Sequence, residues 1–351
     1  METWKPKTLV LSSGGIQGVL MIGSLKKLIE KKLLTDVQHY IGCSAGAILI
    51  AALVHGLSPE TMLDLLMSLK FNDWNLSLSV TGGLIKAEDF YKVIKGYLGN
   101  KTLSDYKPRI TFSVVNLNIG KTEYIDTITH PNLKILDAVM ASCAIPILLP
   151  ALEINGNLYC DGGVADPFPI HKTLDPEYTL GINCSGENNP GSRVEINKGI
   201  GGIFTVVKTL VNLMRDEIEL QKDYDKYRVI KLRSSYNGGL INCPVSVKVS
   251  LFHEGENLTE DFIKNLSEQD NMKLEDFGAG CTQLKPTIHK FIGTKEHKGF
   301  TEPMSDIKSE RILKNVPQEE KCETFQMDEQ CSLKLMYINL ILYNLYHIKI
   351  S

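Results

Sequence analysis

Residues 39–46 read HYIGCSAG, and the ten that follow, AILIAALVHG, are almost wholly apolar. A Gly-x-Ser-x-Gly string between a short β-type run and an apolar helical run describes a sharp strand-to-helix turn. Small neighbours are required there because the backbone is crowded and strained. No other stretch constrains the fold as much, since a strand must enter the turn and a buried helix must leave it. The turn also sets Ser44 at a helix N-terminus, where the dipole and free N–H groups favour a developing negative charge. Two readings remain open at this point: Ser44 is a nucleophile, or it is a small residue in a tight turn.

The flanking segments extend the pattern. TLVLSSGG (8–15) reads as a buried strand ending in a tight loop. VLMIGSLKKLIEKKLL (19–34) has helical spacing, with a lysine-rich outer face read as solvated. VQHYIGCS returns as a strand, and a helix apolar on all sides (45–56) is a buried one. Such alternation predicts an α/β fold, a three-layer α/β/α arrangement with a mostly parallel central sheet. SPETMLDLLMSLK (58–70) starts with an N-cap serine and a proline at the first helical position. Further helices are expected over 86–99, 133–144 and 203–224, and strands over 109–117, 178–184 and 227–232. Residues 145–163 hold two short extended pieces around an Asn-Gly-Asn turn. The irregular segment 71–83, with Phe71, Trp74, Leu76 and Leu78, is read as a lid or acyl-site rim.

Past Gly280 the chain becomes polar with weak periodicity. Its last apolar stretch (331–350) has an uninterrupted core of only about a dozen residues, short of the roughly 20 a membrane span needs. It reads as a packed or surface-lying element. The organisation expected is one domain over 6–280 and an extension of unknown role over 281–351.

Composition removes several function classes. The formal net charge of −3 offers no global pull toward nucleic acid. Eight cysteines form no C-x-x-C pair, which argues against a zinc site or a disulfide framework. The N-terminal run LVL is too short for a signal-peptide core. The expected setting is therefore reducing and cytoplasmic, with peripheral contact to membranes, and the sequons at Asn75, Asn257 and Asn265 are chance matches. No His/Asp/Glu cluster stands at ligand spacing, so neither a metal nor another cofactor is expected. The oligomeric state is not legible.

Two more pieces carry chemistry. In SSGGIQG (12–18), Gly14, Gly15 and Gly18 let backbone N–H groups approach a ligand closely. The loop suits an oxyanion hole, fits a nucleotide-phosphate loop poorly, and by itself is equally well a plain turn. In DGGVADPFP (161–169), Asp161 follows an apolar extended piece; it is a base for Ser44 or an ordinary Asp-Gly turn. Histidines that could complete a triad, His253 and His289, follow in suitable order but sit in no supporting motif.

Taken in order, SGGIQG, GCSAG and DGG resemble the motifs of the patatin-like phospholipases, and ASCAIPILLPALEINGNLYCDGGVADPFP is similar to that family's segment around its aspartate. The resemblance has its motif core in residues 8–185. It implies a Ser–Asp dyad without histidine, with Ser44 as nucleophile and Asp161 as general base. It also implies an oxyanion hole at Gly14, Gly15, Ile16 and Gly18, an elbow framed by Gly42 and Gly46, and a DGG motif completed by Gly162 and Gly163. The implied reaction is lipid ester hydrolysis at a membrane or lipid-droplet surface. Two positions depart from the family pattern: Gln17 stands where many members carry Arg or Lys, and Ser13 where many carry Gly. They leave the choice between phospholipid and neutral ester open. The alternatives are an α/β-hydrolase-type esterase with a His-containing triad and a catalytically weak lipid-binding protein on the same fold.

Overall fold

The computed structural model describes residues 4–68, 87–184, 221–234, 236 and 243–279, with isolated positions between 206 and 218. All belong to the compact unit Met1–Gln283. The segment read as a lid (71–83), most of the expected helix 203–224, His289 and the extension 281–351 lie outside the described residues.

Eight strands form one sheet: β1 (Thr8–Leu11), β2 (His39–Gly42), β3 (Arg109–Asn116), β4 (Lys121–Asp126), β5 (Leu152–Ile154), β6 (Asn157–Asp161), β7 (Thr179–Asn183) and β8 (Arg228–Lys231). The helices are α1 (Gly18–Glu30), α2 (Ala45–His55), α3 (Pro59–Ser68), α4 (Ala87–Leu98), α5 (Ile135–Ser142) and α6 (Val245–Ala279). The sheet order is β5-β6-β3-β2-β1-β7-β8, with β4 paired to β3. Strands β3, β2, β1, β7 and β8 run parallel, and β4, β5 and β6 add antiparallel pairs. This is an α/β fold with a mixed, mostly parallel sheet.

Strand alternation sorts the core. Leu9, Leu11, Ile110, Phe112, Val114, Leu180 and Ile182 face the large cluster to which α1–α6 all contribute. Val10 and Ile41 point the other way, onto Phe168 and Ile170, with Tyr224, Tyr227 and Val229 packed against them. Helix α2 is buried from Ala45 to Ala52, as its all-apolar sequence requires. Each of its Ile and Leu side chains contributes on the order of 1.5–3 kcal/mol by leaving water.

Two elements had gone unread in the sequence. Strand β4 returns from β3 through a turn ending at Gly120 (φ 62°), so KTEYID is a hairpin partner rather than a loop. Helix α6 packs along α1 so closely that a Cβ on Gly23 would meet the backbone of Phe252, and one on Gly255 that of Leu20. That crossing also corrects the reading of the lysine-rich face of α1. Lys26 pairs with Glu256 at 2.8 Å and Lys31 with Glu260 at 3.2 Å, so the face is an ion-paired seam against α6.

Two consequences of this topology position the site. Strand β1 lies between β2 and β7, and the order reverses at its C-terminal end, where open α/β sheets form their ligand crevice. Strand β4 occupies one edge of β3 over residues 111–116. Strands β2 and β6 must therefore share the opposite edge, β2 along 109–112 and β6 along 114–116. The C-terminal ends of β2 and β6 consequently meet head-on beside β3.

Candidate active site

That meeting point is where Ser44 and Asp161 come together. Gly42 is level with Phe112 and Asp161 with Val114, so the residue two places beyond Gly42 arrives beside the end of β6. Ser44 Oγ donates to Asp161 Oδ2 at 2.6 Å, and both side chains are buried. Ser44 holds φ 54° and ψ −120°. A non-glycine residue at positive φ is strained, and such strain persists only where surrounding contacts over-determine it. The contacts are visible. Ser44 N–H donates to Ser142 Oγ at 3.0 Å, and Ser142 Oγ in turn donates to the Ser113 carbonyl at 2.8 Å. Gly46 packs against β1, where a Cβ would stand 2.5 Å from the Leu11 carbonyl oxygen and 2.6 Å from that of Ser12. Gly42 is closed in by the same turn, its Cβ position 2.9 Å from Gly46 O.

Asp161 caps the short 3-10 turn Gly162–Val164. Its Oδ1 accepts the Gly163 N–H at 2.7 Å, and the Cys43 thiol lies 3.8 Å from the same oxygen. Donors aimed at a carboxylate favour its ionised form. Gly162 is pressed on Ser113, leaving no room for any Cβ.

The glycine loop follows β1 on the other side of Ser44. Ser12 N–H donates to Ile182 O and Ser13 N–H to Pro167 O at 2.7 Å, which stitches the loop to β7 and to the chain after Asp161. Gly15–Gln17 is a 3-10 turn in which Gln17 N–H returns to Gly14 O and Gly18 N–H to Gly15 O and Ile16 O. Among the described residues, the N–H groups of Gly14, Gly15 and Ile16 find no such acceptor. Gly18 contributes closeness instead: its Cβ position is 3.1 Å from that of Ala45, so loop and elbow touch.

The neighbouring thiols are unsuited to nucleophilic work. Burial, with the Asp161 charge second, raises Cys143 well above the usual thiol range and Cys160 to about 12. Nor does a described histidine reach Ser44. His39 bonds Thr111 at the far end of β2, His55 bonds Tyr106, His130 bonds Thr129, and His253 on α6 bonds Glu256. His171 stands 3.4 Å from the Tyr124 hydroxyl.

Sequence reasoning assembled Ser44, Asp161 and the glycines but missed their supports. Ser142 and Ser113 looked like ordinary small residues of a helix and a strand. Asp166 lay inside a quoted motif without a role, yet it is buried, accepting from Tyr124 OH at 2.8 Å and from Lys222 Nζ at 2.9 Å. Nothing in the sequence near Lys222 points to Asp166. Among the described residues no group of three His, Cys, Asp or Glu side chains could hold a metal ion.

Comparison with known proteins supplies the context. Residues 9–174 match the model of the patatin-like phospholipases. A probable lipid hydrolase of Invertebrate iridescent virus 6 is 33% identical over 184 residues, covering 47% of this chain and 62% of that protein. The chain therefore spans less than two thirds of that relative. An uncharacterized protein of Acanthamoeba polyphaga mimivirus is 25% identical over 271 residues, 71% of this chain and 91% of the viral protein. Among solved structures, VipD from Legionella pneumophila superposes with a TM-score of 0.46 at 16% identity, over 74% of this chain and 67% of VipD. Over residues 9–174 this chain is similar to the patatin-like phospholipases, a family whose members are serine lipid acyl hydrolases.

Proposed function

We propose that this chain hydrolyses the carboxylic esters of lipids through a Ser44 acyl-enzyme, with Asp161 as general base and the Gly14–Ile16 N–H groups as oxyanion hole. The observation that carries this reading is the 2.6 Å contact between Ser44 Oγ and Asp161 Oδ2 on a strained turn. Ser44 Oγ attacks the ester carbonyl carbon as its proton passes to Asp161. The tetrahedral oxyanion collapses, the alcohol leaves with that proton, and the acyl group stays on Ser44. Water then gives a proton to Asp161, attacks the acyl carbon, and releases the fatty acid while Ser44 recovers its proton.

An aspartate with an ordinary pKa near 3.9 is a weak base at neutral pH. The rate must therefore come from fixed geometry and from donors aimed at the oxyanion. Each such donor accounts for about 10²–10³ in rate. The lipid would be met at a membrane or droplet surface. Leu117 and Ile119, 49% and 55% exposed, sit on the β3–β4 turn beyond the same strand end as Ser44 and supply apolar contact. The domain is read as 6–280, with 281–351 as an extension.

The test is fatty-acid release from phosphatidylcholine vesicles, from a triglyceride emulsion and from a short soluble ester. Wild type, Ser44→Ala and Asp161→Asn are run side by side. Loss of turnover in both variants on the preferred substrate is the expected result, and that preference reads out the consequence of Gln17. Wild-type turnover that survives Ser44→Ala would sink the reading. Inert wild type on all three substrates would favour the lipid-binding alternative.

A further inference from the structure

The family-model match ends at residue 174, yet the loop carrying Asp161 is clasped by a residue beyond it. Lys222 Nζ donates to Asp166 Oδ1 and to the Phe168 carbonyl, both at 2.9 Å. Its two acceptors flank Pro167, and the Pro167 carbonyl accepts the Ser13 N–H of the glycine loop at 2.7 Å. On the other side, Asp166 N–H donates to Gly162 O at 2.8 Å, closing the loop whose first residue is Asp161. The second Asp166 oxygen accepts from Tyr124 on β4, and the Asp166 carbonyl accepts from Ser113 Oγ at 3.3 Å. Ser113 O also holds Ser142, which holds the Ser44 N–H. Tyr224, two residues after Lys222, packs on the buried Phe168 ring at 5.5 Å between centroids. The short stretch 166–168 thus joins the chain bearing Asp161, the glycine loop and the support of the Ser44 elbow, and Lys222 spans it.

We propose that Lys222, acting through Asp166 and Phe168, is a positioning residue that sets Asp161 and the glycine loop relative to Ser44. The inference rests on the hydrolase reading above. A buried carboxylate needs a paired charge or hydrogen-bond donors around it. Lys222 supplies the charge, and because it spans two acceptors it fixes a distance as well as a charge. Removing it leaves the Asp166 carboxylate with the Tyr124 hydroxyl and, at 3.9 Å, His171, both on Oδ2, and frees Pro167, so the base and the oxyanion donors shift together. A displacement of about 1 Å at a reacting centre costs on the order of 100-fold.

The experiment measures kcat and KM on a short soluble ester for Lys222→Met, Lys222→Arg and the charge-balanced pair Lys222→Met with Asp166→Asn. Each rate is divided by the fraction of protein that a fluorophosphonate titrates, so that unfolded molecules do not count. The expected result is kcat per titrated site lowered about 10- to 100-fold in Lys222→Met with KM within about twofold, and partial recovery in Lys222→Arg. The double variant recovers folding stability, because the unpaired buried charge is gone, but not kcat. Wild-type kcat per titrated site in Lys222→Met overturns the proposal while leaving the hydrolase reading standing. An inert wild type overturns the hydrolase reading and this inference with it. Recovery of kcat together with stability in the double variant assigns Lys222 to folding alone and also overturns the proposal.

Discussion

Among the described residues the sheet carries two buried pairs of an aliphatic hydroxyl with an aspartate, those of Ser44 and Thr111, and only one looks like a reaction centre. At the C-terminal ends of the parallel strands, Ser44 Oγ lies 2.6 Å from Asp161. In the N-terminal half of β3, Thr111 Oγ1 lies 2.5 Å from Asp126. By distance and burial the pairs are alike. They differ in what surrounds them. Asp126 also accepts from Arg109 Nε and from the Ile128 N–H, both at 2.8 Å, and Thr111 Oγ1 is bonded to His39 Nε2 at 2.8 Å. Since Thr111 gives its only proton to an acceptor-only carboxylate, Nε2 must be the donor in that last bond. Every group there is engaged and the backbone is regular strand. Around Ser44 the backbone is strained, and among the described residues three N–H groups of the facing loop find no such partner. A hydroxyl beside a carboxylate is therefore not enough; under the function proposed above, stored strain and N–H donors facing a developing charge are what distinguish the reacting pair.

The largest expected effect would break the comparison outright. Ser44→Ala should lower turnover by about 10⁴-fold or more, and Asp161→Asn by about 10²–10⁴-fold, whereas Thr111→Val should leave kcat per folded molecule unchanged. Equal losses at both ends would erase the distinction. Next is Gly46→Ala, whose methyl would be driven into the Leu11 and Ser12 carbonyls. It should cost on the order of 1–3 kcal/mol by overpacking, read by urea denaturation, and cut turnover about 100-fold by pushing the glycine loop off the elbow.

A pH experiment sharpens the quiet end. Burial, with Arg109 second, lowers His39 to about 4 from the ordinary 6.5. Above pH 6.5 folded and unfolded chains both hold it neutral, and its neutral form carries full stability. Between about pH 6.5 and 4 only the unfolded chain takes up the proton, so stability falls with falling pH, by about 3 kcal/mol in all. His39→Gln should flatten that part of the stability curve, and an unchanged slope would refute the buried-neutral assignment. The smallest effect is Thr111→Val itself. It strips one partner each from His39 and Asp126 and should cost about 1–3 kcal/mol with no change in activity.

Much of the candidate site was legible because its parts are local. GCSAG, SSGGIQG and DGG each occupy a single turn whose small residues announce a crowded backbone, and strand–helix alternation announces the sheet that aligns them. Strand β4 was missed because its alternation is short and one-sided. Helix α6 was missed because its apolar face is narrow, its glycine serving only the crossing with α1. The lysine face of α1 was misread because its partners, Glu256 and Glu260, lie some 230 positions away.

What the sequence by itself determined is the set of tight turns and the buried helix α2, since small-residue spacing and an all-apolar run admit few other conformations. What only the tertiary structure decided is distance. Ser44 and Asp161 are 117 positions apart and meet because β2 and β6 share one edge of β3. Lys222 reaches Asp166 across 56 positions because β7 and β8 bring the two segments onto one face. Contacts between residues so far apart follow from strand order and register, which the whole sheet sets together and no single stretch of sequence encodes.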